Sequence, residues 1–315
     1  MTSISISQIQ YTLALERTGS FSKAAEVCFV TQSTLSTMIK RLENQIGLTL
    51  FDRKAKPICI TSEGKALIEQ FKIIYHEYEN LTELIQTTKK DLSGTLKIGV
   101  IPTLAPFLLP LFLDRLVVNY PNIHFTIHEI TTDSIIKALK VRELDVGILS
   151  IPVEQDAGLE QKSLFKEEFL VYDASEIRKN RPKYSVSDID LSRLWLLEES
   201  HCLTNQIGKI CHLKNKQALQ RNLLYKSGSI LSLLQLVNSN KGLTLLPKLA
   251  SLNEKIVDKE FLFPLELPRP AREIGMLTHP NLAKKRLIKI LEKEIIEAVH
   301  PLLRQSIKVE IISPI

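Results

Sequence analysis

The chain has 315 residues, of which 44% are hydrophobic and 24% charged, and its formal net charge at pH 7 is +6. This length is typical of two domains, and this apolar content is sufficient for sizeable hydrophobic cores. No apolar run reaches the roughly 18 residues of a membrane span, and residues 1–7 lack the pattern of an export signal, which argues against a membrane or exported protein. We therefore expect a globular cytoplasmic protein without a membrane partner.

The basic charge balance fits a polyanionic partner, although it does not by itself distinguish nucleic acid from a merely basic surface. Four cysteines occur in the chain. Because a reducing cytosol keeps thiols reduced, we expect no persistent structural disulfide. The same reasoning does not exclude a disulfide that forms only under oxidising conditions.

The N-terminal residues predict three helices. Apolar residues recur at helical spacing, large ones first and then, after a turn at Gly19, small ones that let helices approach closely. Thr31 is a good N-cap for the third helix, which Gly47 ends. A short helix, a tight turn and a longer helix form a helix-turn-helix. The apolar positions are Ile6, Ile9, Leu13, Ala24, Ala25, Cys28, Leu35, Ile39, Leu42 and Ile46.

Small hydroxyl and amide side chains lie on the first turns of the third helix, where they can reach base edges. Two short β-prone pieces around a basic turn follow, and they predict a wing whose cations contact phosphates. The alternative is a three-helix bundle with a polar exposed face. The candidate DNA-binding residues are Gln32, Ser33, Thr34, Ser36, Thr37, Lys40 and Arg41 on the helix, and Arg53, Lys54 and Lys56 in the wing.

Residues 61–90 contain no proline, and their apolar residues alternate at spacings of four and three, which is typical of a coiled-coil seam. The seam predicts a dimerisation helix, so that two recognition helices read two half-sites of a partly palindromic, double-stranded operator. The alternative is an amphipathic helix packed on its own domain, for which Ile68, Ile73 and Leu84 supply part of a wider face. The seam residues are Leu67, Phe71, Ile74, Tyr78, Leu81 and Ile85, and Asp91 to Gly94 form the expected hinge.

From residue 95 onward predicted strands and helices alternate, which indicates a parallel α/β sheet. The expected strands are 95–101, 123–128, 145–150, 168–172, 195–197 and 242–247, and the expected helices are 105–119, 134–142 and 227–239. This alternation predicts two doubly wound lobes with a cleft between them that holds a ligand. The predicted domains are a DNA-binding domain at 1–60, a linker helix at 61–90 and an effector domain at 91–315, with lobe I at about 95–162 and 269–315 and lobe II at about 163–268.

Cys202 and Cys211 stand nine positions apart, and Cys202 directly follows His201. Nine residues span about 13 Å as a helix and about 30 Å as a strand, whereas a disulfide needs Cα atoms within about 7 Å. A bond between these two cysteines therefore requires the segment between them to refold, which is the geometry of a switch. Cys28 and Cys59 have no neighbour in sequence that would activate a thiol, and we interpret them as a core residue and a spectator.

Several of these segments together resemble the LysR-type transcriptional regulators. They are Gly19-Ser-Phe-Ser-Lys-Ala-Ala-Glu, Val30-Thr-Gln-Ser-Thr-Leu-Ser, Ile39-Lys-Arg-Leu-Glu-Asn-Gln-Ile-Gly and Leu50-Phe-Asp-Arg. The two-lobed α/β series also resembles the effector domain of this family, so the resemblance covers essentially the whole chain. It implies an α/β fold class: an N-terminal winged helix-turn-helix and a linker helix, followed by a two-lobed, doubly wound effector domain like that of periplasmic binding proteins. Ser33 departs from the proline usual in the family, which implies altered contact detail.

Four further runs resemble the members of this family that sense hydrogen peroxide. They are Ile98-Gly-Val-Ile-Pro-Thr, His128-Glu-Ile-Thr-Thr, Leu197-Glu-Glu-Ser-His-Cys-Leu with Cys211 nine positions after its cysteine, and Leu243-Thr-Leu-Leu-Pro-Lys-Leu-Ala. The resemblance implies that Cys202 reacts with peroxide and that Cys211 then pairs with it. Thr204 and Asn205 depart from the basic and acidic residues of those relatives, which leaves the reaction rate open. The positions that match the surroundings of the reacting thiol are Thr103, Thr132, His201 and Arg272.

These residue types suit the chemistry, because only a thiolate attacks peroxide and an ordinary cysteine is mostly protonated at pH 7. His201 and Arg272 offer positive charge, and threonine hydroxyls can hold a peroxide oxygen and protonate the leaving hydroxide. Oxidation is expected to re-space the DNA-binding heads of a homodimer or homotetramer that also engages RNA polymerase. We expect no enzyme activity, no cofactor and no metal.

Three alternatives stay open. A LysR-type regulator whose cleft binds a small metabolite would use the two threonines as ligand contacts and leave both cysteines inert. Zinc could be held by His201, Cys202, Cys211 and His212, although this spacing is longer than that of structural zinc motifs. A thiol peroxidase would use the same cysteine pair but has no need of a DNA-binding domain.

Overall fold

The computed structural model describes residues 3–87, 92–154, 158–175, 183–198, 202–213, 228–280, 282, 284–303 and 308–315. The chain divides into two compact units, one of Met1–Lys90 with Val141–Glu143 and one of Asp91–Lys140 with Leu144–Ile315. Each unit has its own buried hydrophobic core. In the part of the chain that the structure describes, no helix has the length and apolar character needed to cross a membrane.

The first unit begins with three helices, α1 Ile6–Thr18, α2 Phe21–Val27 and α3 Gln32–Ile46. Gly19 and Gly47 adopt left-handed φ values of 60° and 70° and end α1 and α3, because this conformation costs glycine little. Thr31 caps α3, since its hydroxyl accepts a hydrogen bond from the backbone N–H of Thr34 at 3.2 Å. The antiparallel strands β1 Phe51–Asp52 and β2 Cys59–Ile60 complete the unit, and the predicted winged helix-turn-helix is confirmed.

A buried carboxylate that the sequence analysis did not single out connects the recognition helix to the wing. Glu43 Oε1 accepts a hydrogen bond from the backbone N–H of Leu50 at 2.8 Å, and Glu43 Oε2 lies 2.7 Å from Arg53 Nη2. The Arg53 guanidinium also lies 5.4 Å from the centre of the Phe21 ring. Arg53, a predicted phosphate contact, therefore also stabilises the wing from within the protein.

Helix α4 spans Gly64–Thr87, and its predicted coiled-coil seam divides into two parts. Phe71, a seam residue, is only 3% exposed and packs with Ile68 in the core of its own unit, so its assignment to the seam is wrong. Farther along the helix, Ile74, Tyr78 and Leu81 are 39%, 45% and 56% exposed, which leaves them available to a partner. The Ile85 side chain and residue Asp91 lie outside the described part of the chain.

The second unit starts with the predicted βαβ series. β3 Gly94–Val100 lies between β4 Ile123–Glu129 and β5 Val146–Ile151 and is parallel to both, with α7 Thr132–Lys140 connecting β4 to β5. The single helix expected at 105–119 is instead divided into α5 Ala105–Leu108 and α6 Leu113–Asn119. A 3-10 turn containing Pro110 separates them, because proline supplies no backbone N–H to a continuing α-helix.

The remaining strands make the sheet mixed, and of the predicted strands that the structure contains, β3, β4 and β5 pair in parallel as expected. With β6 at Glu160–Asp173, β7 at Leu243–Pro247 and β9 at Arg269–Thr278, the strand order is β4-β3-β5-β9-β6-β7. In this order β9 runs antiparallel to β5 and to β6. β6 Glu160–Asp173 begins earlier than predicted, and its second half pairs with β7 Leu243–Pro247 and β8 Leu262–Pro264. The strand predicted at 195–197 is wrong, because only an isolated bridge joins Leu194 to Leu243 there.

Three helices and one short strand complete the unit: α8 Cys202–Ile210, α9 Ile230–Ser239, α10 Lys285–Val299 and β10 Val309–Ile311. Strand β10 lies parallel to β9 at the start of that strand. Helices packed around one mixed sheet give an α/β architecture, and the predicted fold class is confirmed.

Candidate functional site

Helix α8 places the two candidate redox cysteines at opposite ends. Cys202 is its first residue, and Cys211 directly follows its last, with the Cys211 backbone N–H donating to the Ile207 carbonyl at 2.9 Å. Nine residues of helix rise about 13 Å, which is well beyond disulfide range. All four cysteines are free thiols. A bond between Cys202 and Cys211 therefore requires α8 to unwind.

The amphipathic pattern of α8 explains why this segment is helical. Leu203, Ile207 and Ile210 recur at spacings of four and three, and all three are buried in the core of the second unit. Near the start of the helix, the Thr204 hydroxyl donates to the carbonyls of Leu197 and Glu198 at 3.1 and 3.2 Å. Unwinding α8 would remove these apolar side chains from the core, and their burial therefore stabilises the helical form.

The start of a second helix meets Cys202. Thr132 is the first residue of α7, and its Oγ1 lies 2.8 Å from Cys202 Sγ, within hydrogen-bonding distance. Cys202 is partly buried. The Cys202 sulfur therefore lies where helices α7 and α8 begin.

A buried network surrounds the other two candidate residues. Arg272 Nη1 donates to Thr103 Oγ1 at 3.1 Å, and Nη2 donates to the Thr103 carbonyl at 3.3 Å. On its other side Arg272 Nε donates to Glu167 Oε1 at 2.7 Å, and the two residues lie directly opposite each other on β9 and β6. Glu167 Oε2 accepts from the backbone N–H of Leu249 at 3.0 Å. The guanidinium is thus held in one orientation toward Thr103.

The structure consequently brings the predicted site residues together in two pairs, Thr132 with Cys202 and Thr103 with Arg272. Thr103 and Thr132 follow the carboxyl ends of the adjacent parallel strands β3 and β4, where open α/β sheets hold ligands. His201 lies outside the described residues. Among the described residues, no hydrogen bond joins one pair to the other.

Two buried polar residues of this region, Glu167 and Gln206, are not among the predicted site residues. A buried arginine needs a carboxylate partner, but the sequence contains many carboxylates and does not show which of them Arg272 meets. Glu167 therefore could not be identified from the sequence. Gln206 lies one helical turn after Cys202 on the same face of α8, and its Nε2 donates to Ser150 Oγ at 3.2 Å. The spacing of four residues between Cys202 and Gln206, which puts both on one face of a helix, was a sequence signal that could have identified Gln206.

The environments of the other thiols differ from that of Cys202. Burial raises the pKa of Cys211 to about 12, so this group is a neutral thiol and a poor nucleophile while α8 is folded. Burial also raises the pKa of Cys28, with Arg17 opposing the shift, and Cys28 packs against the core of the first unit as expected. Cys59 is exposed in the wing and its Sγ donates to the Pro57 carbonyl at 3.2 Å.

The zinc alternative requires Cys202 and Cys211 to bind one ion. They cannot do so from opposite ends of α8, given Zn–S distances of about 2.3 Å. Within the residues that the structure describes, no group of three or more histidine, cysteine, aspartate or glutamate side chains is placed to hold a metal ion.

A cavity of about 320 Å³ lies elsewhere in the second unit. Strand β6, the end of α10 and Val309 form its walls, and Lys166 and Lys248 supply charge. It contains neither cysteine nor either threonine of the two pairs. The cavity is therefore separate from the candidate redox site.

Most of the candidate DNA-binding residues are exposed on the first unit. Gln32, Ser33, Thr34, Thr37, Lys40 and Lys54 are exposed, and Ser36 is half-buried. Several of the hydroxyls also order the start of α3, since Thr31 Oγ1 lies 2.9 Å from Ser33 Oγ and 2.8 Å from Thr34 Oγ1. Polar groups at a helix start and basic residues in a wing suit contacts to base edges and phosphates.

A winged helix-turn-helix unit combined with an α/β unit defines a class of protein, the DNA-binding regulator with a separate effector domain. The chain belongs to the LysR family. The LysR substrate binding domain matches residues 89–297, and the bacterial regulatory helix-turn-helix protein of the lysR family matches residues 6–65.

Individual relatives share about the same overall identity with the chain. A hydrogen peroxide-inducible genes activator of Dickeya chrysanthemi is 30% identical over 278 residues, which is 88% of this chain and 90% of the relative. The regulator EstR of Acinetobacter baylyi is 31% identical over 278 residues, 88% of this chain and 91% of EstR. Because two differently named regulators match equally well, overall identity does not decide the function. The function must instead be inferred from the residues of the site.

Among solved structures, full-length OxyR of Pseudomonas aeruginosa, in a cysteine-to-aspartate variant, is similar over 93% of this chain and 98% of that one. The TM-score is 0.78 and the sequence identity 25%. The similarity includes both the DNA-binding and the effector part of the chain.

Proposed function

We propose that this chain is a peroxide-responsive, DNA-binding transcriptional regulator. Oxidation of Cys202 and disulfide formation with Cys211 change the conformation of the effector domain and the DNA-binding mode of a homo-oligomer. One observation carries the proposal: a single short helix holds Cys202 against Thr132 at one end and buries Cys211 at the other. The similarity to a peroxide-inducible activator and to OxyR supports it.

In the first step the Cys202 thiolate attacks one oxygen of hydrogen peroxide. A sulfur–oxygen bond forms, the oxygen–oxygen bond breaks, and the departing hydroxide takes a proton and leaves as water. The Thr132 hydroxyl, at 2.8 Å from the sulfur, is placed to donate a hydrogen bond to the reacting oxygens. Arg272 and Thr103 form a preorganised positive and hydrogen-bonding group for the developing charge.

In the second step the Cys202 sulfenic acid condenses with the Cys211 thiol and releases water. Cys211 cannot take part from its buried position, because its pKa is raised and its sulfur lies at the far end of α8. Unwinding of α8 exposes Cys211 and restores its ordinary reactivity. The disulfide then prevents α8 from reforming, since a helix cannot bring its two ends within bonding distance.

The signal reaches DNA through the oligomer. Ile74, Tyr78 and Leu81 form an exposed apolar stripe on α4, which suits pairing with the same helix of a second copy. A homodimer, or a homotetramer made of two, presents several copies of α3 and the wing to a double-stranded operator. A change in the effector domains alters the spacing of these copies, and with it the contacts to DNA and to RNA polymerase.

Thiol counting tests the redox proposal. The reduced protein is expected to show four titratable thiols and, after stoichiometric peroxide, two, with a peptide map that joins Cys202 to Cys211. The operator footprint is expected to change in parallel. Four titratable thiols after peroxide would contradict the proposal and favour a regulator that responds to a metabolite.

Two substitutions separate the roles of the wing and the recognition helix. Lys54→Ala is expected to weaken binding about equally for all DNA sequences and to reduce the salt slope by about one, because it removes one phosphate contact. Thr34→Ala is expected to change sequence preference instead, with a mismatch discrimination that falls by about 1 to 3 kcal/mol. Binding isotherms at several salt concentrations on matched and mismatched operators measure both. The reverse pattern would show that helix and wing are assigned the wrong way round.

A further inference from the structure

The segment from Lys308 to Ile315 forms an additional edge of the effector sheet. Strand β10 pairs in parallel with β9, with Val309 opposite Arg269 and Ile311 opposite Ala271. Backbone hydrogen bonds extend the pairing at both ends, from Arg269 N to the Lys308 carbonyl at 3.1 Å and from Ile312 N to the Ala271 carbonyl at 2.8 Å. This segment is therefore fixed to β9 next to Arg272.

The residues after β10, which we call the tail (312–315), contact helix α8. Gln206 Nε2 donates to the Ile312 carbonyl at 2.7 Å, and Gln206 is fully buried. Lys209 Nζ donates to the Ser313 carbonyl at 3.3 Å and also to the Ile315 carbonyl. Two side chains of α8 are thus bonded to backbone acceptors of a segment more than 100 residues away in sequence, since Gln206 and Ile312 are 106 positions apart.

These contacts depend on α8 being helical. Gln206 and Lys209 face the same side only because residues three apart are neighbours on a helix surface. If α8 unwinds, the two side chains separate, and the partly buried Ile312 carbonyl loses its bond to the buried Gln206 amide. Loss of these hydrogen bonds is unfavourable, so the tail contributes to the stability of the helical form.

We propose that the tail is a latch that holds α8 in its helical, thiol form and so sets how readily the Cys202–Cys211 disulfide closes. The proposal rests on the proposed function for its redox consequence, but the hold on α8 itself does not. The latch acts on the second half of the helix, and it leaves the contact between Thr132 and Cys202 at the helix start unchanged. It therefore governs the closing of the disulfide and not the reaction of Cys202 with peroxide.

Hydrogen exchange of the reduced protein tests the hold on α8 directly. A chain that ends at Ile311 keeps β10 and lacks the tail, and its α8 backbone amides are expected to exchange about tenfold faster than those of the full chain. Lys209→Met removes two of the contacts without shortening the chain and is expected to give a smaller increase in the same direction. Lys289→Met, at an exposed lysine of α10, is the matched control and is expected to change nothing. Unchanged α8 exchange in both the shortened chain and Lys209→Met would overturn the latch.

The redox consequence is measured in glutathione buffers. The shortened chain is expected to favour the disulfide about tenfold more than the full chain. Its rate of sulfenic acid formation at Cys202, measured by dimedone trapping in a Cys211→Ser background, is expected to equal that of the full-length Cys211→Ser chain. A shift in that rate with no shift in the disulfide equilibrium would overturn the latch. If neither chain forms a disulfide, the proposed function fails, and the exchange measurement still decides whether the tail holds α8.

Discussion

A chain with Cys202→Ser is expected to bind its operator with unchanged affinity and to keep one footprint whether or not peroxide is present. The substitution removes the nucleophile, and serine cannot form a sulfenic acid. It leaves α3 and the wing intact, because Cys202 belongs to the other unit. Footprinting and mobility shifts with and without peroxide measure the loss of response. A footprint in this variant that still changes on oxidation would contradict the assignment of Cys202.

Two further cysteine variants make this experiment specific. Cys211→Ser is expected to form a sulfenic acid at Cys202, detectable with dimedone, but no disulfide and no change of footprint. Cys59→Ser is the matched control, since Cys59 is an exposed thiol in the wing, and its response to peroxide is expected to equal that of the unchanged chain. Loss of response in Cys59→Ser would mean that the sensing thiol had been misassigned.

Arg272→Met is expected to lower the free energy of unfolding of the effector unit by about 3 to 5 kcal/mol. Arg272 and Glu167 are each 1% exposed, so the substitution leaves a carboxylate buried without its counter-charge. Urea unfolding followed by circular dichroism measures the change. The double variant Arg272→Met with Glu167→Leu is expected to recover much of the loss, because no unpaired charge then stays in the core.

A neighbouring ion pair supplies the control for this prediction. Arg269 Nη1 lies 2.6 Å from Glu168 Oε2 on the same two strands, but their side chains are 23% and 12% exposed, so water compensates part of the loss. Arg269→Met is therefore expected to cost clearly less than Arg272→Met. Equal effects of the two substitutions would show that the Arg272 network has no special role in the core.

The DNA-binding unit was largely predictable from the sequence because its signals are local. Thr31 and Gly47 delimit the recognition helix by hydrogen bonding and backbone preference within one helical turn. The same local reasoning failed where a spacing pattern fitted two different packing partners. Phe71 fits a coiled-coil seam by spacing, yet it packs in its own core, since a spacing pattern does not identify the surface that the apolar face meets.

The effector unit shows the same limit. The first three strands alternate with helices and pair in parallel as predicted. The antiparallel course of β6 and β9 was not predicted, because strand direction depends on the path of the whole chain and not on the composition of a strand.

The sequence by itself determined the recognition helix, the wing and the spacing of nine between Cys202 and Cys211. Only the tertiary structure decided that Thr132 meets Cys202 across 70 positions and that Glu167 meets Arg272 across 105. It also decided that Cys211 is buried and that the tail binds α8. The physical reason is the separation of the interacting residues along the chain. Caps and apolar spacing act between residues about one turn apart, whereas these contacts exist only after the sheet has brought distant segments together.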